Sequence, residues 1–175
     1  MGNWWLRRAA GSAPPHTALI HDLRFLNPAD EQVHTLIPEE DYVCAYRAEF
    51  RARATGVGFT MQINAATGPR ARVAATAHHR SYLTRDMEPN SSATIRFAFT
   101  CTLPAGVYVV TAGVVGLVDG RERALEGRPE HLAFRVGSAR LGDESLIDLV
   151  ITPTITIARR GFVTNPAASA HSFRS

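Results

Sequence analysis

Apolar and polar residues alternate along most of the chain from Ala18 onward. The clearest case is the segment from Tyr42 to Phe50, in which every second side chain is apolar while Arg47 and Glu49 stand between them. A period of two residues is that of a β-strand with one face buried and the other in water. Because no segment shows a sustained helical period of 3.6 residues, the pattern predicts an all-β protein.

Similar segments recur between turn residues such as Asp119-Gly120, which is typical of a sandwich. The pattern predicts a jelly-roll or immunoglobulin-like antiparallel β-sandwich of about eight strands, at residues 18–26, 42–50, 57–64, from about 72, 94–101, 107–117, 132–136 and 147–157. Residues 94–101 and 107–117 are predicted to form a hairpin through a turn at 103–106. The second arm is apolar on both faces, so we expect it at the centre of a sheet, covered on each side.

The final predicted strand contains Pro153. Proline lacks the N–H group that a central strand donates to its ladder, so this strand is expected at an edge or with a break. A long apolar edge strand invites pairing, and we expect Ile147–Ile157 to pair with a second copy of the chain. The predicted domain organisation is a leader and linker at 1–16, a β-sandwich at 17–158 and a flexible tail at 159–175.

The chain has 175 residues, which suits one domain, and all 19 of its basic side chains are arginine. The absence of lysine excludes the usual phosphate-binding loop and a Schiff-base mechanism. The arginines are scattered among acidic residues and the net charge is +3, so we expect no nucleic-acid partner. The sequence shows neither a long apolar run nor a secretory signal, which favours a cytoplasmic location.

Candidate catalytic chemistry is scarce. His78 and His79 are adjacent, and neighbouring residues of a strand face opposite sides, which argues against a shared metal ion. No Gly-x-Ser-x-Gly motif occurs. Cys44 and Cys101 fall at inward positions, where free buried thiols are expected rather than a disulfide. We therefore expect a binding module with no enzymatic activity, no metal and no cofactor.

The order of the segments resembles a known family. Five of them carry the likeness, in the order ALIHDLRFLN, DYVCAYRAEFRA, VGFTMQINAATGPRARVAATA, SSATIRFAFTCTLPAGVYVVTAGVV and HLAFRVG. They are similar to the C-terminal carbohydrate-binding domain of the Wzt-type ATP-binding subunits of ABC transporters that export O-antigen polysaccharide. The likeness runs from about Ala18 to Leu149, and its best motif is Leu103-Pro104-Ala105-Gly106-Val107-Tyr108.

This resemblance implies a jelly-roll-like sandwich that dimerises, partly through its terminal strand, and binds an exported glycan before translocation. The implied partners are an O-antigen polysaccharide, ABC transporter subunits and a second copy of the chain, at the inner face of the membrane. The ATPase domain that precedes the module in the family is not in this sequence. That departure fits an excised piece or a free-standing relative, and the role of Trp4 and Trp5 stays open.

A sugar site needs planar polar side chains beside an aromatic platform, because sugars present hydroxyl groups and apolar ring faces. The wet face of the predicted sheet offers that mixture. We expect one groove for a few sugar units, formed by Arg47, Gln62, Asn64, Arg72, Thr76, His78, His79, Tyr82 and Arg96. The alternative is a protein-interaction module that joins subunits through its edge strands without binding a glycan.

Overall fold

The computed structural model describes residues 17–66, 73–79, 86–137 and 151–159. Within these ranges the chain forms eleven β-strands and no helix. Their bounds are β1 Ala18–Leu26, β2 Gln32–Val33, β3 Thr35–Leu36, β4 Asp41–Phe50, β5 Thr55–Ala65, β6 Val73–His79, β7 Ser91–Thr100, β8 Gly106–Val118, β9 Arg121–Ala124, β10 Glu130–Val136 and β11 Ile151–Arg159. The leader and most of the predicted tail lie outside the described residues.

The strands form two sheets that pack face to face. The first sheet has the order β11-β7-β4-β1-β2, and the second has the order β3-β10-β8-β5-β6 with β9 paired to β8. Among the described strands, the pair β3 and β10 is parallel and the other pairs are antiparallel. The predicted all-β sandwich is therefore confirmed, with one parallel pair at the edge of the second sheet.

The core lies between the two inner faces. Alternate residues of the central strands point into it, and its largest fully buried side chains include Tyr46, Phe25, Phe50, Phe97, Met61, Ile63 and Val110. Phe25 of the first sheet contacts Phe134 of the second, with ring centroids 4.6 Å apart. Burying one large apolar side chain contributes about 1.5–3 kcal/mol to stability, so this layer is the main source of the stability of the fold.

Two features of the strand pattern differ from the prediction. The strands β2, β3 and β9 were not predicted, because segments of two to four residues are too short to show a period of two. The predicted hairpin of β7 and β8 is wrong, since β7 pairs with β4 and β11 in one sheet and β8 lies in the other. Cys101 and Leu103 are buried where the chain crosses between the sheets. Apolar and polar residues alternate in the same way whether the next strand pairs with this one in a hairpin or crosses to the other sheet.

The motif at 103–108 has a structural explanation. The Tyr108 hydroxyl donates a hydrogen bond to the Pro104 carbonyl oxygen at 2.8 Å, as in the tyrosine corner of immunoglobulin-like sandwiches. A Cβ atom at Gly106 would lie 3.3 Å from the Tyr108 ring, so glycine leaves room for that ring. The motif thus shapes the crossing between the sheets.

The expected positions of β8 and β11 are confirmed. β8 lies between β10 and β5, and β11 forms an edge with Pro153 opposite Phe97. Full cover of β8 on each side is wrong, because its outer face is only partly buried and Val107 is 39 % exposed. This opening leaves the outer face of the second sheet accessible around β8.

Both cysteines are free and buried, as predicted. Burial raises the pKa of the Cys44 thiol far above its ordinary value, and it raises that of Cys101 in the same direction. A thiol that holds its proton in an apolar core is a poor nucleophile. These residues act as small core side chains.

Candidate functional site

A row of polar residues crosses the outer face of the second sheet. The strand register places His131 of β10 opposite Thr111 of β8, Thr111 opposite Gln62 of β5, and Gln62 opposite Thr76 of β6. Residues opposite each other in an antiparallel pair share one face, so the row runs across four strands. We call Thr60, Gln62, Asn64, Thr111 and His131 the amide face.

Gln62 is the unusual member of the amide face. It lies on the outer side of its strand, yet it is only 4 % exposed. Its Nε2 donates a hydrogen bond of 2.7 Å to Asn64 Oδ1, while its Oε1 is buried and accepts no hydrogen bond. A buried acceptor without a donor costs about 1–3 kcal/mol. A hydroxyl group is a donor of the kind that this oxygen lacks, although the oxygen itself has almost no exposed surface in this structure.

Thr111 and His131 add exchangeable donors and acceptors beside Gln62. Thr111 Oγ1 lies 2.9 Å from His131 Nδ1, and the direction of this hydrogen bond depends on the imidazole tautomer. A hydroxyl group both donates and accepts, so this pair adapts to either role. The polar groups of the amide face suit ligands rich in hydroxyl groups.

Aliphatic residues and Arg135 lie beside the amide face on this outer side. Val109 lies opposite both Asn64 and Ala133, and Val107 lies opposite Arg135. The outward side chains of β5, β8 and β10 include no Phe, Tyr or Trp. In this described part of the face, the apolar surface next to the amide groups is therefore aliphatic and not aromatic.

Three predicted site residues on β6 are located by backbone register alone. Thr76 is opposite Gln62 and His78 is opposite Thr60, so both positions share the outer side with the amide face. His79 is opposite Phe59, whose side chain is buried in the core. Alternation therefore separates His79 from the other two. Arg72 and Tyr82 lie outside the described residues.

Arg47 and Arg96 lie on the opposite side of the molecule, on the outer face of the first sheet. Their register partners across β4 and β7 are Thr94 and Ala45. Arg47 Nη2 lies 3.4 Å from Glu49 Oε1, and Arg96 forms an ion pair with Asp30. We call His21, Arg47, Glu49, Thr94 and Arg96 the charged face. The nine predicted residues therefore do not form one groove, because Gln62 and Asn64 are on one sheet and the two arginines on the other.

Thr111 and His131 were missed by the sequence reasoning. The signal for Thr111 is that it is the one threonine within the otherwise largely apolar run from Val107 to Val114. His131 carries no local signal, since only the pairing of β10 with β8 brings it to Thr111.

The described residues hold no cluster of three or more His, Cys, Asp or Glu side chains suited to a metal ion. In the same part of the chain, no helix has the length and hydropathy needed to cross a membrane.

Comparisons with known proteins agree with this architecture. A family model described as the Wzt C-terminal domain matches residues 15–149. A crystal structure of the C-terminal domain of Wzt superposes with a TM-score of 0.61 at 12 % identity, covering 71 % of this chain and 75 % of that one. At this identity the superposition shows the fold alone. A search of curated proteins finds no match.

Two larger proteins share weaker likeness. One is the alkylpurine DNA glycosylase AlkC of Pseudomonas fluorescens bound to DNA with an abasic site analogue, at a TM-score of 0.46 and 14 % identity, with 70 % of this chain and 31 % of that one covered. The other is a mutant β-glucosidase of Listeria innocua in complex with laminaribiose. Its TM-score is 0.42 and its identity 11 %, with 71 % of this chain and 16 % of that one covered. Scores below 0.5 carry no argument about this chain.

Proposed function

The chain belongs to the Wzt C-terminal domain family, and from this premise we propose that it is a non-catalytic carbohydrate-binding module. Its ligand is an O-antigen-type polysaccharide that an ABC transporter exports. The module acts in the cytoplasm, at the inner face of the membrane, where it engages the glycan before translocation. The family supports a transporter-associated carbohydrate-binding role, and the amide face is the part of the molecule that we assign to it.

The observation that carries the assignment is the amide of Gln62. Its oxygen is buried on an outer face without a donor, while its nitrogen is engaged by Asn64. Thr111 and His131 place two further hydrogen-bonding groups in the adjoining strands. Amide and hydroxyl groups beside aliphatic side chains match the hydroxyl and C–H groups of a sugar. A shallow site of this kind buries little apolar area, so we expect weak binding that depends on one repeat structure.

The test is retention of the purified chain on immobilised O-polysaccharides of different repeat structures. We expect one repeat structure to retain the chain and soluble glycan of the same structure to release it. The Arg47→Ala variant, altered on the charged face, serves as the control and should be retained equally. If no polysaccharide retained the chain, the assignment to the amide face would be contradicted. The same holds if the unaltered chain were retained and the Arg47→Ala variant were not.

A second candidate function is a protein-interaction or dimerisation module without glycan binding. The edge position of β11 favours it, because the inward residues Ile151, Ile155 and Ile157 are only partly buried there. An open edge offers unpaired backbone groups to another strand. We extend the proposal to a homodimer formed through the terminal segment Ile147–Ile157, of which residues 147–150 lie outside the described ranges.

Sedimentation separates the two candidates. A dimer that retains no polysaccharide would favour the interaction module, and a chain that stays monomeric at high concentration would remove the dimer. Retention of polysaccharide by either species supports the glycan-binding function.

A further inference from the structure

Tyr46 connects the first sheet to the backbone of the second. It extends from β4 into the core and is fully buried, and its hydroxyl lies 3.1 Å from the Thr60 carbonyl oxygen and 3.0 Å from that of Gly113. Thr60 of β5 and Gly113 of β8 are register partners. One buried phenol therefore bonds to the backbone of both strands at the same step of the ladder.

On the edge of β8 that faces away from β5, the ladder is interrupted at this step. β10 pairs with β8 as far as Ala112, and β9 pairs with it from Val115 onward. In the gap, Glu126 Oε2 accepts the Val114 N–H at 2.9 Å, while the Leu125 N–H donates to the Val114 carbonyl oxygen at 2.8 Å. One carboxylate side chain and one backbone amide thus take the place of a paired strand where β8 exchanges one partner for another.

The outer side of the same step is also constrained. A Cβ atom at Gly113 would lie 2.5 Å from Thr60 Oγ1, so the Thr60 side chain lies over the glycine. Tyr46 holds this residue pair from the core side. Gln62 follows Thr60 by two residues, and Thr111 precedes Gly113 by two. The interrupted step is therefore directly beside the Gln62 and Thr111 pair of the amide face.

We propose that Tyr46 is a positioning residue, which sets the spacing of β5 and β8 and through it the placement of Gln62 against Thr111. The inference rests on the proposed glycan-binding role of the amide face. Tyr46 does not reach the outer surface, so it acts through the Thr60 and Gly113 carbonyl groups. A phenol of ordinary pKa already keeps its proton throughout the neutral range, and burial raises the pKa of Tyr46 further.

The matched pair of variants is Tyr46→Phe and Tyr108→Phe. Each removes one hydroxyl group from a mostly buried ring that bonds to a backbone carbonyl, and Tyr108 bonds to Pro104 at the crossing between the sheets. Both should lower the unfolding midpoint, Tyr46→Phe by the larger amount, because its hydroxyl is more deeply buried and lies near two carbonyl oxygens. We expect Tyr46→Phe to weaken binding of the retained O-polysaccharide about three- to tenfold, and Tyr108→Phe to stay within about twofold of the wild type.

A second readout does not need a glycan. The side-chain NH2 signals of Gln62 in a nitrogen-15 NMR spectrum report its hydrogen bond to Asn64. We expect these signals to shift and to exchange faster in Tyr46→Phe, and to keep their wild-type positions in Tyr108→Phe.

The possible outcomes are distinct. If wild type binds glycan but both variants weaken binding equally, the positioning role is overturned while the proposed function stands. If wild type binds no glycan, the proposed function fails, and the Gln62 signals alone decide whether Tyr46 positions this amide. Unchanged Gln62 signals in Tyr46→Phe overturn the inference in either case.

Discussion

The two outer faces of the sandwich occupy equivalent positions and differ in how their polar groups are satisfied. On the charged face, the side chains of Arg47 and Glu49 are 47 % and 42 % exposed and lie within ion-pair distance of each other. On the amide face, Gln62 is 4 % exposed and its oxygen has no donor. One face is hydrated and paired within itself, while the other buries an unsatisfied group.

This difference shows why charge is a poor guide to the site here. Two arginines were predicted as site residues from the sequence. In the structure, Arg96 pairs with Asp30, and Arg47 pairs with Glu49 and Ser92. Exposed ion pairs of this kind contribute about 0–1 kcal/mol each, because water and salt screen them. The buried oxygen of the Gln62 amide lacks a donor, which costs about 1–3 kcal/mol, and such a group in a native protein calls for an explanation such as strain, a functional role or an ordered water. The neutral face is therefore the better candidate for binding.

The largest predicted effect concerns the core that carries both faces. The pKa values of Cys44 and Tyr46 are raised above their ordinary values of 9.0 and 10.0, chiefly because burial disfavours the charged forms. The unfolded chain releases these protons first as pH rises, so the two groups leave stability unchanged below pH 9 and lower it above. Above its ordinary pKa, each group lowers the free energy of unfolding by up to about 1.4 kcal/mol per pH unit.

Urea unfolding between pH 7 and pH 11 measures this loss. The Cys44→Ala variant should lose less of its own pH 7 stability over the same range. Glycan retention should disappear together with the folded fraction, because both faces depend on one core. Loss of retention at a pH where the free energy of unfolding is unchanged would show that the amide face responds to pH independently.

A smaller effect on stability, with a large effect on binding, is predicted for Gln62→Leu. Leucine loses the hydrogen bond to Asn64 but also removes the buried oxygen without a donor, so the free energy of unfolding should change by less than about 1 kcal/mol. Retention on the polysaccharide should fall to background. Thr94→Val on the charged face is the matched polar-to-apolar control and should leave retention unchanged. Full retention by a folded Gln62→Leu variant would contradict the contrast between the two faces.

The smallest effect is expected for Arg47→Ala combined with Arg96→Ala. Their ion pairs are exposed, and the free energy of unfolding should fall by less than about 1 kcal/mol in total, and less again at high salt. Chemical denaturation at low and high ionic strength measures this change, and polysaccharide retention should stay at the wild-type level. A clear loss of retention would move the site to the charged face.

Much of the fold followed from local patterning. Alternation in β4, β5 and β7 identified the inward residues, and Pro153 indicated an edge strand. The error at β7 and β8 came from treating a turn-like loop as a hairpin, because a loop sequence does not specify whether the chain stays in its sheet. The short strand β9 was missed for lack of length.

The sequence by itself determined an all-β sandwich, two free core thiols, and Gln62 and Asn64 as polar residues on the outer side of their strand. Only the tertiary structure decided that Arg47 and Arg96 lie on the opposite side, that Thr111 and His131 join Gln62, and that Tyr46 reaches beneath them. The reason is physical. Alternation assigns each residue to one side of its own strand, whereas strand order and register across two sheets arise from long-range pairing and core packing.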